Sequence, residues 1–169
     1  LGRCEDAKQF QWACFEQSLN AGHLRAYLKR LPEFDDLEAE EQAIGYALKS
    51  PNVHQLLLFL IAWPALDRAE ELVLTRSTEL DGDYYQVLTP AADALEEKHL
   101  LASTILRREL IDFALIKGRL SRYRHAARHL QECENLAGLI DDFGSFETHE
   151  DYQSRLRSEH GRKSGFWGL

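Results

Sequence analysis

Apolar residues along most of the chain recur at three- and four-residue steps, the period of an amphipathic helix. Ala13, Leu19, Leu24, Tyr27, Leu28 and Leu31 follow it, and so do Leu37, Ile44, Ala47 and Leu48. Ser50-Pro51 resembles an N-cap followed by the first helical residue, opening a helix over 51–63 that Pro64 ends. Leu56-Leu57-Leu58-Phe59-Leu60-Ile61 makes that helix apolar nearly all round, so it is expected at the buried centre. Asp67 is read as the cap of a helix to about Glu79, and Tyr84 to Lys98 as another, kinked or restarted at Pro90. Leu100 to Lys117 follows, stopped by Gly118. Ser121 opens a long helix to about Asp142, and Thr148, with Glu150 and Asp151 behind it, caps a last one running to His160. The competing pattern is a hairpin at Asp81-Gly82, but the flanking residues do not alternate. Helix–turn–helix is the better description there.

Pairing these helices gives units starting near positions 3, 35, 67 and 100, a repeat of about 32–33 residues. That is close to the period of tetratricopeptide-like arrays, in which each helix pair buries its apolar face only by stacking on the next. The full tetratricopeptide signature is absent. The expected fold is all-α: antiparallel helix pairs stacked as a tetratricopeptide-like α-solenoid, in a single repeat domain over 1–160 followed by an aromatic tail, 161–169. The size, 169 residues and 19.5 kDa, suits one domain or one array, large enough to need no disulfide or metal staple.

Composition narrows the function classes. The net charge of −8 argues against general nucleic-acid binding, which depends on neutralising phosphates. The longest apolar run, Leu56 to Leu66, contains Pro64 and is too short to cross a membrane. Cys4, Cys14 and Cys133 are an odd number without C-x-x-C spacing, which fits free thiols in a reducing cytoplasm. The start of the chain has no signal-peptide pattern, and the absence of Met points to a fragment of something longer.

Four segments also carry a resemblance: His23 to Pro32, Trp63 to Ala69, Ser121 to Leu130, and the ending His160-Gly161-Arg162-Lys163-Ser164-Gly165-Phe166-Trp167. They resemble the C-terminal part of a bacterial family of all-helical repeat proteins catalogued as a domain of unknown function. The resemblance covers essentially the whole chain and implies the helical fold and a longer N-terminal portion, but no activity. The ending is also similar to helices that follow zinc-binding SWIM segments; the ligand spacing of such a segment is missing here, so no zinc role carries over.

No dinucleotide, P-loop, nucleophile-elbow or zincin motif occurs. Asp81-Gly82-Asp83 hints at a calcium loop, but the twelfth position is Ala92 where a bidentate Glu is needed. His125, His129 and Cys133 are weak metal candidates at i, i+4 and i+8; at about 100° per residue Cys133 falls on the apolar face with Ala126 and Leu130, well away from His125. The acids Glu38, Glu40, Glu41, Glu70 and Glu71 form solvated helix faces rather than an acid–base pair. No catalytic residue and no cofactor is assigned.

Charge is the stronger signal. Residues 33–50 carry net −5, 67–97 net −7, 107–129 net +5 and 130–154 net −7. The sequence therefore predicts a non-catalytic scaffold that binds a protein or peptide partner through Arg119, Arg122, Arg124 and Arg128, with Phe166 and Trp167 as aromatic anchors. The alternatives are an accessory nucleic-acid binder using the belt of Lys117 and these arginines, or part of an enzyme whose site lies outside this chain. The helix opened by Ser121 is also charged against its own dipole, with Arg122, Arg124 and Arg128 early and Glu132, Glu134, Asp141 and Asp142 late. Asp93, Glu96 and Glu97 are the expected compensating acids.

Overall fold

In the computed structural model the chain is all-helical, and no strand occurs among the described residues, 2–32 and 34–169. Side chains are described from Glu5 onward, so Cys4 and Glu33 lie outside them. Where the sequence suggests one run of repeats, the chain divides into two compact units, 1–65 and 66–169.

The first unit holds α1 (Gly2–Ser18), α2 (Ala21–Leu28), α3 (Asp35–Ala47) and α4 (Val53–Ala62). Asn20 and Asn52 cap α2 and α4, each side-chain oxygen accepting a backbone N–H, from Gly22 at 2.7 Å and Gln55 at 3.0 Å. The Ser50-Pro51 start is therefore displaced by two residues. Ser50 Oγ accepts the Asn52 N–H instead, and the Asn, with its longer side chain, reaches the first turn. Val53, Leu56, Leu57, Phe59 and Leu60 of α4 are buried, while Leu58 is exposed, so α4 is less enclosed than its composition suggests. Phe15, Phe59 and Trp63 form a chain of rings with centroids 5.4 and 6.2 Å apart. The Trp63 indole donates to Glu40 at 2.7 Å, and Arg25 lies over its ring.

The second unit holds α5 (Leu66–Thr75), α6 (Tyr85–Leu95), α7 (Leu100–Ile116), α8 (Tyr123–Ala137), α9 (His149–His160) and a four-residue helix, α10 (Ser164–Trp167). The helix expected from Asp67 starts at Leu66 and ends at Thr75, short of Glu79, where a 3₁₀ turn over Ser77–Glu79 replaces it. Helix α6 continues through Pro90. Gly118 stops α7 with φ +60°, a conformation that costs little without a Cβ. Helix α8 ends five residues before Asp142, capped by Gly138. Thr148 caps α9 as expected, accepting the Asp151 N–H.

Helices α6, α7 and α8 pack consecutively and antiparallel around the longest apolar helix, α7. Asp81-Gly82 is a turn, not a hairpin: Asp81 Oδ1 accepts the Asp83 N–H at 2.9 Å. A Cβ on Gly82 would overlap the Glu109 carbonyl oxygen and lie 2.5 Å from Phe113 Cβ, so only glycine lets this turn rest on α7. Ile111, Leu115, Tyr123, Cys133, Tyr152, Leu156 and Phe166 share one core.

Leu57→Ala is expected to destabilise the chain by about 2–5 kcal/mol, the cost of emptying a fully enclosed leucine site. Urea unfolding followed by circular dichroism measures it, and an unchanged midpoint would contradict the burial.

Candidate functional site

In the second unit a groove of about 720 Å³ lies between α6 and α8, floored by α7. Tyr85, Thr89, Pro90 and Asp93 line one wall; Arg122, His125, Ala126, Arg128 and Glu132 line the other; Leu110 and Arg107 form the floor. The spacing follows from helix geometry, because Tyr85, Thr89 and Asp93 are i, i+4 and i+8, and Arg122 and Ala126, like His125 and His129, are i and i+4.

Arg107 organises the closed end. Its side chain is only 1% exposed. Nη2 donates to Asp93 at 3.0 Å and Glu96 at 2.5 Å, both from α6. Nη1 donates to Glu132 and to His129 Nδ1 (3.1 Å), both from α8. Burial, then the adjacent guanidinium, pushes the His129 pKa below its ordinary 6.5, so the ring stays neutral and can accept that bond. The sequence carries a faint trace of this clamp: a charged pair, Arg107-Arg108, interrupts an apolar helix, while Asp93/Glu96 and His129/Glu132 each recur at i, i+3 on the flanking helices.

The predicted basic belt is divided: Arg122 and Arg128 line the groove, while Lys117, Arg119 and Arg124 lie outside it. Arg122 is bound: Nη2 donates to Asp83 at 2.8 Å, and the guanidinium lies 4.7 Å from the Tyr85 ring centre and 5.1 Å from that of Phe113. Arg128 is 79% exposed on the groove rim and donates to Glu132 at 3.2 Å. Lys117, Arg119 and Arg124 are exposed outside the groove lining. The compensation expected from Asp93 and Glu96 is directed elsewhere, to Arg107, because those acids sit at the far end of α6 from Arg122.

The metal candidates are dispersed. His125 is exposed in the groove and His129 is bonded to Arg107, whereas Cys133 is fully buried, its Sγ 3.9 Å from the Thr104 carbonyl oxygen. Burial pushes the thiol up to about 12, where it is neither thiolate nor ready ligand. Among the described residues no group of three His, Cys, Asp or Glu could hold a metal ion. Phe166 is inside the core, edge-on to Tyr123 at 6.0 Å, so it is not presented as an anchor. Trp167 is half-buried, its indole donating to the His160 carbonyl at 3.0 Å with Arg157 over its ring.

A family model described as a family of unknown function (DUF6880) matches residues 1–169. The chain belongs to that family. No curated protein and no solved structure matches this DUF6880 chain. No helix among the described residues is long and apolar enough to cross a membrane.

A second, smaller cavity of about 330 Å³ lies against the other side of α7 in this DUF6880 chain, lined by Arg108, Glu109, Asp112, Glu147, Tyr152 and Arg155 among others. Arg108 is buried, donates to the Glu147 carbonyl at 2.8 Å and lies 4.5 Å from the Tyr152 ring centre. Asp112 accepts from Tyr152 Oη at 3.1 Å and Arg155 Nη2 at 3.2 Å. Glu109 has no such donor. Burial, with Asp112 and Asp81 nearby, pushes its carboxyl up to about 7.

Two expectations follow. Arg122→Gln should cost about 1–2 kcal/mol by losing a charge-assisted bond and two ring contacts, while Arg124→Gln should change stability by less than about 0.5 kcal/mol. Equal midpoints in denaturant for the two variants would remove Arg122 as a brace. For Glu109, the folded chain keeps a proton that the unfolded chain has released. Its contribution is complete below about 4.5 and is lost as pH rises through about 7. His129 acts in the opposite sense, weakening the fold as pH drops below 6.5. Thermal melts of Glu109→Gln against the parent between pH 5 and 8 should show the variant gaining relative stability toward pH 8; a constant difference would place the Glu109 carboxyl in solvent.

Proposed function

We propose that this chain is a non-catalytic helical-repeat module, tetratricopeptide-like in its pairing of helices, that holds a protein or peptide segment in the groove between α6 and α8. It would serve as a scaffold or adaptor in a bacterial cytoplasm. The observation that carries this is the make-up of the groove: exposed Tyr85, Pro90 and His125 and half-buried Thr89 stand over Leu110 and Ala126, beside a closed end held by Arg107. Such a surface offers apolar contact and a few directional hydrogen-bond groups along its length, which suits an extended segment.

Its acids support binding better than chemistry. Asp93, Glu96 and Glu132 all accept from one guanidinium, so these carboxylates are engaged within the fold rather than presented to a substrate. The same pairing argues against a nucleic-acid strip. Arg122 is engaged by Asp83 and Arg128 by Glu132, leaving no continuous row of free cations along the groove.

Selection of peptides from a displayed random library tests this proposal. Selected peptides should shift NMR resonances of Tyr85, Thr89 and His125. Thr89→Arg, which fills the groove without touching the Arg107 clamp, should weaken them at least about tenfold, or about 1.4 kcal/mol. Peptides that bind Thr89→Arg as tightly as the parent would overturn the assignment to this groove.

A further inference from the structure

Helices α7 and α8 form an antiparallel pair with poles of opposite character. At one pole α7 ends at Ile116 and α8 begins at Tyr123. Lys117, Arg119 and Arg124 are exposed there, beside Ile116 (63% exposed) and Leu120 (74% exposed). Lys163, from beyond α9, adds a further cation by donating to the Leu115 carbonyl oxygen at the end of α7. At the other pole, past Ala137, Asp141 and Asp142 are exposed beside Leu139 (65% exposed). Asp142 Oδ1 accepts only a backbone N–H, from Gly144 at 2.7 Å. None of Lys117, Arg119, Arg124, Asp141 and Asp142 makes an ion pair with a described residue.

These groups cannot satisfy one another within a chain. The 15 residues of α8 separate the poles by about 22 Å at about 1.5 Å per residue, more than twice the Debye length at physiological salt. Each pole nevertheless matches the other: opposite charge, with Ile116 and Leu120 exposed at one and Leu139 at the other. Burying Ile116 and Leu120 against Leu139 would supply the apolar contact, and the rim charges would set orientation and partner choice.

We propose that the basic pole, Ile116, Lys117, Arg119, Leu120 and Arg124, docks on the acidic pole, Leu139, Asp141 and Asp142, of a second copy of this chain. The contact is head-to-tail, so each copy keeps one pole free, and a joined pair presents one free pole of each sign to bind the next. None of these residues lines the α6–α8 groove, and the two assignments stand or fall separately.

Sedimentation velocity on the full chain, over rising concentration, tests the contact. A small, charged interface of this kind should give association in the range of about 10–100 μM at low ionic strength, weakened at least about tenfold by about 0.5 M salt. Lys117→Glu with Arg119→Glu cancels the positive charge of the basic pole, where Arg124 and Lys163 remain, and should abolish it. Asp141→Lys with Asp142→Lys leaves two basic poles and should do the same. Mixing the two variants should restore a complex, because each supplies the sign the other lacks. Lys117→Gln with Arg119→Gln, which only removes charge, should weaken association without changing the circular dichroism spectrum. A parent chain that stays monomeric throughout, a charge-reversed variant that associates as the parent does, or a mixture that stays monomeric would overturn the contact.

Discussion

A buried guanidinium on α7 sets the register of the second unit. Taking a charge out of water costs several kcal/mol unless acceptors meet it, so α6 and α8 must present acceptors at the height of Arg107. They do so from both sides, Asp93 and Glu96 from one helix, His129 and Glu132 from the other. Sliding either helix by one turn would move its acids about 5 Å away and strand the charge. The clamp therefore selects one arrangement among several that the apolar faces alone would permit. It also fixes the width of the groove, since the same three helices form its walls and floor.

The charge on α8 is the reverse of what its own dipole favours, and its neighbours account for that. Helix α7 runs antiparallel to α8. So does α9: Tyr152, in its first turn, reaches Arg108 and Asp112 in the middle of α7, and Lys163, beyond its end, reaches Leu115 at the α7 terminus. The bases at the start of α8 therefore lie where α7 and α9 expose carbonyl groups, and the acids past its end lie where both expose amide groups. The dipoles of both neighbours thus oppose the unfavourable dipole of α8 itself. The pattern is a property of the antiparallel trio rather than a cost borne by α8.

Arginine closes the core edges in both units. Arg25 lies over Trp63, Arg108 over Tyr152, Arg122 over Tyr85 and Phe113, and Arg157 over Trp167. Each planar guanidinium covers a ring face while keeping its edge for hydrogen bonds, a combination that lysine does not offer. The last turn of the chain uses the same device: Phe166 enters the core and Trp167 lies over its edge beneath Arg157. Of the arginines that look like a binding strip when counted along the chain, Arg122 has such an internal duty, whereas Arg119, Arg124 and Arg128 stay exposed.

The local content of the fold was open to reading from the sequence: the all-helical class, the stop at Gly118, the Thr148 cap, the turn at Asp81-Gly82 and the burial of Cys133. Each depends on residues within about one helical turn, where spacing fixes which side chains share a face and which backbone groups need a cap. The displaced start at Asn52, the early end of α8 and the docking of Phe166 depended on competition between nearby signals or on a surface built elsewhere. The opposed charge of the two ends of α8 was also legible, but the Arg107 clamp and the groove it closes were decided by tertiary structure. Asp93, Arg107 and Glu132 are far apart along the chain, and nothing in their local spacing says that three helices will bring them to one height. Pairing across helices is decided by how apolar faces pack, and only that packing determines which charges meet, which ring each arginine covers, and which charges remain for a partner.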